Sequence, residues 1–260
     1  MMTARIVVVT GGETGIGRAT SERLAAAGMR IVIGGILPEE GAETVAAIRA
    51  TGGAAEFHQV DVREVSAVDA LVNEAARAYG CIDVMINNAA VFDGFASCLD
   101  TTDSLWEKVI DINLRGCFFG CRAALRHMVP AGRGKIINVS SIGGIRGSAD
   151  GTSYTASKFG IIGLTKQLAC DYAAKGIAVN AVCPGAIDTK IRGNSLRILG
   201  SDAPPMRGVG ADPDAIKRLV PAQRKGLASE IASTILFLAS DQSEYIHGQA
   251  ICVDGGWSAT

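Results

Sequence analysis

Net charge, long apolar runs and histidine are what this chain has least of, and each shortage excludes something. Lys and Arg number 25 against 26 Asp and Glu, a formal net charge of −1. Such a balance offers no electrostatic footprint to nucleic acid or to an anionic membrane surface. No apolar run reaches the roughly 18 residues that a membrane-spanning helix needs. The opening Met1-Met2-Thr3-Ala4-Arg5 leads straight into a strand-like run and lacks the layout of a signal peptide. A cytoplasmic protein with no nucleic-acid and no membrane partner is therefore expected. The three histidines, His58, His127 and His247, stand far apart and show no metal-ligand spacing. Seven cysteines are scattered without a C-x-x-C pair; Cys117 and Cys121, four apart on an expected helix, have no His or acidic residue in register and read as packing. No metal is expected.

What is present fits one globular domain over 1–260. Apolar residues make up 48% and charged residues 20% of 260 positions, enough to bury a core without staples. Short β-branched runs at 5–10, 30–34, 55–60, 83–87, 135–140, 178–183 and 249–253 alternate with helical patterns near 16–28, 38–51, 64–79, 101–129, 152–175 and 228–239. Most of the strand-like runs are continuously apolar, as strands buried on both faces are. Strand, helix, strand in repetition implies right-handed crossovers, so the expected fold is α/β: a Rossmann-type doubly wound, seven-stranded parallel sheet with helices on both faces. The stretch 190–226, rich in Gly, Pro and Arg, is expected to be a substrate loop or lid.

The first strand ends in Thr10-Gly11-Gly12-Glu13-Thr14-Gly15-Ile16-Gly17, and a helix follows at once. Glycines permit a tight turn and a close backbone approach, and the helix start offers free N–H groups to a pyrophosphate. The spacing Thr-Gly-x-x-x-Gly-x-Gly resembles the turn of the short-chain dehydrogenase/reductase family, classical type. Further resemblances follow in order: Asn87-Asn88-Ala89-Ala90 after the fourth strand, Asn113 within a helix, Ser140-Ser141 after the fifth strand, Tyr154-x-x-x-Lys158, and Pro184-Gly185 after the sixth. Together they cover nearly the whole chain.

Tyr154 and Lys158 lie four apart on an expected helix and so leave the same face. A free phenol, with a pKa of about 10, is a poor base at neutral pH, and a neighbouring ammonium is expected to lower it. Ser141 lies at the carboxyl end of a strand, where open α/β sheets place ligands; Ser140 is the competing hydroxyl. By resemblance, Tyr154 is the general acid or base, Lys158 also binds the nicotinamide ribose, Ser141 holds the substrate oxygen, and Asn113 holds a water in a proton relay. The resemblance further implies cofactor contacts at Gly11, Glu13, Gly15, Ile16, Gly17, Asp61, Val62, Asn88, Ala89, Tyr154, Lys158, Pro184, Ile187 and Thr189. The implied reaction is hydride transfer between a nicotinamide cofactor, NAD(P), and a secondary alcohol or ketone. A homotetramer is implied as well.

The chain departs from the family at the end of the second strand, where an acidic residue normally grips the adenosine ribose of NAD. Here Ile33-Gly34-Gly35-Ile36-Leu37 offers neither an acid nor a cation, and position 14 is Thr. With Glu13, Glu39 and Glu40 close by, like-charge repulsion of a 2′-phosphate tips the balance to NAD, and Arg18 keeps NADP open. Specificity is expected from 91–98, 142–152 and 190–224. Phe92, Phe95, Leu196, Ile198, Leu199 and Met206 suggest a ring or aliphatic substrate; Arg192, Arg197 and Arg207 could bind a carboxylate or keep a lid soluble, and solubility is the preferred reading. Two alternatives accompany this reading: an NADP-dependent 3-oxoacyl thioester reductase, and a non-catalytic dinucleotide-binding regulator on the same fold.

Overall fold

Strand β1 (Ile6–Thr10) reads Ile-Val-Val-Val-Thr, with no polar face to turn to water, and all five residues are buried. It therefore sits in mid-sheet, paired in parallel with β2 (Arg30–Gly35) on one side and β4 (Val84–Asn87) on the other. The structure, a computed structural model, describes residues 4–259; residues 1–3 of the opening segment and residue 260 lie outside it. With β3 (Ala54–Gln59), β5 (Gly134–Val139), β6 (Ile177–Pro184) and β9 (Ala250–Val253), the strand order is β3-β2-β1-β4-β5-β6-β9, and every pairing is parallel.

Alternation along β1 divides the core in two. Val7 and Val9 pack with Leu24 of α1 (Gly15–Ala26), Val45 and Ile48 of α2 (Pro38–Ala50) and Ile231 and Ile235 of α9 (Ala228–Ala239). Val8 packs on the other face with Val68 and Leu71 of α3 (Val65–Tyr79), Phe119 of α5 (Gly116–Ala131) and Ile161 of α6 (Thr152–Tyr172). The seven-stranded doubly wound sheet expected from the sequence is the fold observed.

Two segments differ from expectation. The single helix expected over 101–129 is α4 (Asp103–Ile110), a π-helical turn Asp111–Arg115, and then α5. A π turn widens a helix by one residue and is found often at functional sites; this one carries Asn113. The stretch 190–226 holds more order than its composition suggested. It contains α7 (Ile191–Leu199), α8 (Pro213–Leu219) and the short strand β8 (Gly226–Leu227), which pairs with β7 (Ile187–Asp188). Helices of nine and seven residues are too short to show periodicity in sequence. A capping signal marks α8, since the Asp212 carboxylate accepts from the amides of Asp214 and Ala215.

The lower helical layer lies close to the sheet because small residues let it. A Cβ on Gly120 of α5 would overlap the Asn87 amide, whose Nδ2 donates to Asn138 Oδ1 at 2.9 Å. Overpacking of this kind costs roughly 1–3 kcal/mol. Gly120→Ala should lower the urea unfolding midpoint accordingly; an unchanged midpoint would show that the layer has slack.

Candidate active site

The carboxyl ends of β1 and β4 face a cleft where the strand order reverses, with β2 and β3 to one side and β5 onward to the other. Gly11 and Gly15 take φ of 63° and 53°, left-handed values that favour glycine. A Cβ on Gly17 would overlap the Gly11 carbonyl, so α1 begins as close to β1 as backbone allows. The turn is held from outside: Asn88 Nδ2 donates to the Gly11 carbonyl at 2.7 Å, Thr44 Oγ1 to the Glu13 carbonyl at 3.0 Å, and Asn194 Nδ2 to Thr14 Oγ1 at 3.1 Å. Gly11, Glu13, Gly15, Ile16, Asp61, Val62, Asn88, Ala89, Pro184, Ile187 and Thr189 all line this cleft, and Gly17 stands behind it. A cradle that admits no Cβ at Gly11 or Gly17, with the first turn of a helix above it, fits the pyrophosphate of a dinucleotide.

Two cofactor-side features refine the sequence reading. Arg18 is held by Glu22 at 2.8 Å and lies 3.8 Å from Glu43; it does not line the cleft. Glu13 is 4% exposed, and its carboxylate sits directly over Gly35. Oε1 accepts from the Ile36 amide at 3.2 Å, while Oε2 is buried without a partner. Burial pushes this carboxyl up from its ordinary range, against the backbone donors that stabilise its charge.

The catalytic candidates converge further along the same cleft. Lys158, 2% exposed, sends Nζ to the Val139 carbonyl at 2.9 Å and lies 5.3 Å from the centre of the Tyr154 ring. Burial lowers its pKa to about 8. Ser141 Oγ accepts from the Gly143 amide at 3.0 Å and donates to Asp150 Oδ2 at 3.2 Å. Ser140 Oγ instead donates to the Lys158 carbonyl at 2.9 Å, which leaves Ser141 as the hydroxyl beside the tyrosine. From the sequence, the lysine is expected to lower the phenol pKa. In the structure burial dominates and raises Tyr154 well above the ordinary phenol range. Asp150 and Asp93 add to that rise, and the Ser141 hydrogen bond and the Arg192 charge oppose it.

Three residues with a part in the site, Asp93, Asp150 and Trp257, were not named from the sequence, and two named only for the substrate segments, Phe92 and Arg192, take defined places. Asp93, fully buried, accepts from the Tyr154 amide at 2.9 Å and Ser153 Oγ at 3.0 Å through Oδ2, and from the Phe95 amide at 3.2 Å through Oδ1. It caps α6 from 61 residues away and so sets the position of Tyr154. Phe92 packs edge-on against the Tyr154 ring at 5.4 Å between centroids. Arg192 lies with its guanidinium 5.1 Å from the Phe92 ring centre, inside the cleft. Of the two roles open to the lid arginines, this placement favours contact with a ligand over lid solubility for Arg192; Arg197, by contrast, pairs on the surface with Glu40. Trp257 and Asp150 complete the wall. Asn113, given a water by resemblance, uses its amide on protein: Oδ1 accepts from the Val91 amide at 2.8 Å, and Nδ2 donates to the Val91 carbonyl at 3.0 Å and Ser157 Oγ at 3.2 Å. It fixes the strand-end loop that carries Phe92 and Asp93.

The family profile described as Enoyl-(Acyl carrier protein) reductase matches residues 11–258. The chain is 38% identical to a 3beta-hydroxysteroid dehydrogenase of Mediterraneibacter gnavus, over 98% of this chain and 95% of that one. It is 40% identical to a cis-4-hydroxycyclohexanecarboxylate dehydrogenase of Sinomonas cyclohexanicum, over 98% of this chain and 97% of the relative. Among solved structures, a levodione reductase superposes with a TM-score of 0.88 at 34% identity, covering all of both chains.

Asp150 makes the site's electrostatics testable. Burial, foremost, raises its pKa from 3.8 to about 6, and Asp93 adds to the rise. A raised folded-state pKa gives stability that is full below about pH 4 and lost as pH rises through about 6. Above that, the buried carboxylate costs on the order of 1–3 kcal/mol. Asp150→Asn should therefore raise the melting temperature at pH 8 and change it little at pH 4. Equal shifts at both values would remove this account of Asp150.

Proposed function

The chain belongs to the short-chain dehydrogenase/reductase family, and on that premise we propose that it interconverts a ring-borne secondary alcohol and its ketone with NAD. One observation carries the chemistry: a phenol, an ammonium and a serine hydroxyl share one buried end of a cleft whose other end suits a dinucleotide. A nicotinamide held in this cleft would supply the hydride acceptor for oxidation and the hydride donor for reduction. The chain's own groups manage the proton and the oxygen. Tyr154 Oη gives its proton to the substrate oxygen in reduction and receives it in oxidation. The raised pKa of the phenol keeps it protonated at neutral pH, the state required of a donor. Ser141 orients the substrate oxygen, and Lys158 places positive charge beside the phenol and would hold the ribose of a bound nicotinamide. Asn113 acts at one remove, by holding the Val91 backbone.

The names of two relatives put the reacting hydroxyl on a carbocycle, one a steroid and one a cyclohexanecarboxylate. The walls here agree with a ring: Phe92, Ile142, Ile198 and Trp257 line the cleft, Phe92 against the Tyr154 ring. Arg192 adds a preference for an acidic group. Its guanidinium is half-buried, makes no ion pair within 4 Å among the described residues, and has a buried Nε without a partner. A carboxylate fits a planar fork of this kind. We also propose a homo-oligomer of four copies, supported by the exposed Trp106, Phe118 and Phe159 on α4, α5 and α6. No described helix is long and apolar enough to cross a membrane.

Tyr154→Phe should keep dinucleotide affinity within a few-fold and lower kcat by roughly 10²–10⁴; turnover near that of the unaltered enzyme would discredit the phenol. Arg192→Gln should raise KM about tenfold for hydroxycyclohexane carboxylates and leave KM for cyclohexanols unchanged. Equal effects on both substrates would assign Arg192 to packing.

A further inference from the structure

The missing acid at the end of β2 has a counterpart in space. The family's usual carboxylate would stand at position 35, and here the residue is Gly35. A Cβ on Gly35 would overlap the Glu13 carboxyl carbon and both its oxygens. Glu13 therefore occupies the space that a side chain at 35 would fill, reaching it from the glycine-rich turn instead of from the strand. The two residues depend on each other: Gly35 admits Glu13, and Glu13 supplies the charge that Gly35 lacks.

The carboxylate is fixed there. Thr44 Oγ1 holds the Glu13 carbonyl at 3.0 Å, and the Ile36 amide holds Oε1 at 3.2 Å. Oε2 remains buried with no donor among the described residues. A buried acceptor without a donor is costly, and a hydroxyl is the donor that relieves it. A 2′-phosphate would bring a second anion to the same spot. Among the described residues, no unpaired cation lines the cleft on the adenosine side. Arg63, the guanidinium lining the cleft there, is held by Asp61 through contacts of 2.6–3.1 Å, and Arg18 is held by Glu22.

We propose that Glu13, transposed from strand to turn, is the residue that accepts the adenosine ribose hydroxyls and selects NAD over NADP, with Gly35 as its obligatory partner. This rests on the reading of the cleft as a dinucleotide site, and it assigns the specificity to one side chain. Glu13→Gln keeps the shape and removes the charge. In Glu13→Ala with Gly35→Asp, the carboxylate returns to the strand and the overlap is relieved.

Calorimetric titration of NAD and NADP into the whole enzyme and both variants tests the assignment without reference to turnover. The unaltered enzyme should bind NAD at least tenfold more tightly than NADP. Glu13→Gln should weaken NAD about tenfold and strengthen NADP. The double variant should recover most of the preference for NAD. If the enzyme prefers NAD but Glu13→Gln keeps that preference, the NAD reading stands and Glu13 is not its cause. If Glu13→Gln weakens both equally, the carboxylate only shapes the turn, and the proposal fails. If the unaltered enzyme does not discriminate, or favours NADP, the NAD reading falls and the proposal with it. Melting curves of each variant show whether a lost affinity is a lost fold.

Discussion

A lysine ammonium removed from water, with a strand-end carbonyl for its partner, is the interaction on which the cleft depends. Lys158 Nζ reaches from α6 to the Val139 carbonyl at the end of β5. Burying that charge is unfavourable unless it is hydrogen-bonded and close to opposite charge. The fold meets the demand by tying the helix to the sheet where the strands end. Asp150 draws its pKa back toward the ordinary value, against the burial that lowers it. Tyr154, one helical turn earlier on the same face, comes into the cleft with it.

The second constraint comes from the opposite charge. Asp93 and Asp150 belong to different loops and converge on the start of α6. Asp93 satisfies the Tyr154 amide, an orphan donor of that helix, and so sets where the phenol stands. Asp150 holds the Ser141 proton and raises the phenol pKa. A site with two carboxylates, an ammonium and a guanidinium in a mostly apolar cleft is less stable than a hydrocarbon core of the same size would be. Such local conflicts with the rules of folding are expected where a protein does chemistry. At the cofactor end, Gly35 and Glu13 show the same exchange in smaller form: a lost side chain opens room for a charged one.

Much of this was legible in the sequence because its signals are local. Uninterrupted runs such as Ile6-Val7-Val8-Val9 mark buried strands, and their alternation with helices fixes the doubly wound order. Helical spacing puts Tyr154 and Lys158 on one face, and the family resemblance gives them their roles. What escaped depends on contacts between distant residues. Nothing near Asp93 announces that it caps a helix 61 positions later. Arg192 looks like any lid arginine until α7 turns it over Phe92. The short α7 and α8 leave no periodic trace, and Trp257 enters the cleft only because the tail after β9 folds back. Gly35 was visible as a departure, and the acidic surroundings of Glu13 were visible too. That the two fill one space required coordinates.

The buried ammonium can be observed directly. A ¹³C chemical-shift titration of lysine-labelled enzyme, with the Lys158 signal assigned by its loss in Lys158→Met, reads its protonation. A midpoint near pH 8 is the result this account predicts. A midpoint at the ordinary lysine value of about 10.4 would mean that the group lies in water. The cleft would then lack the charge around which its other residues are arranged.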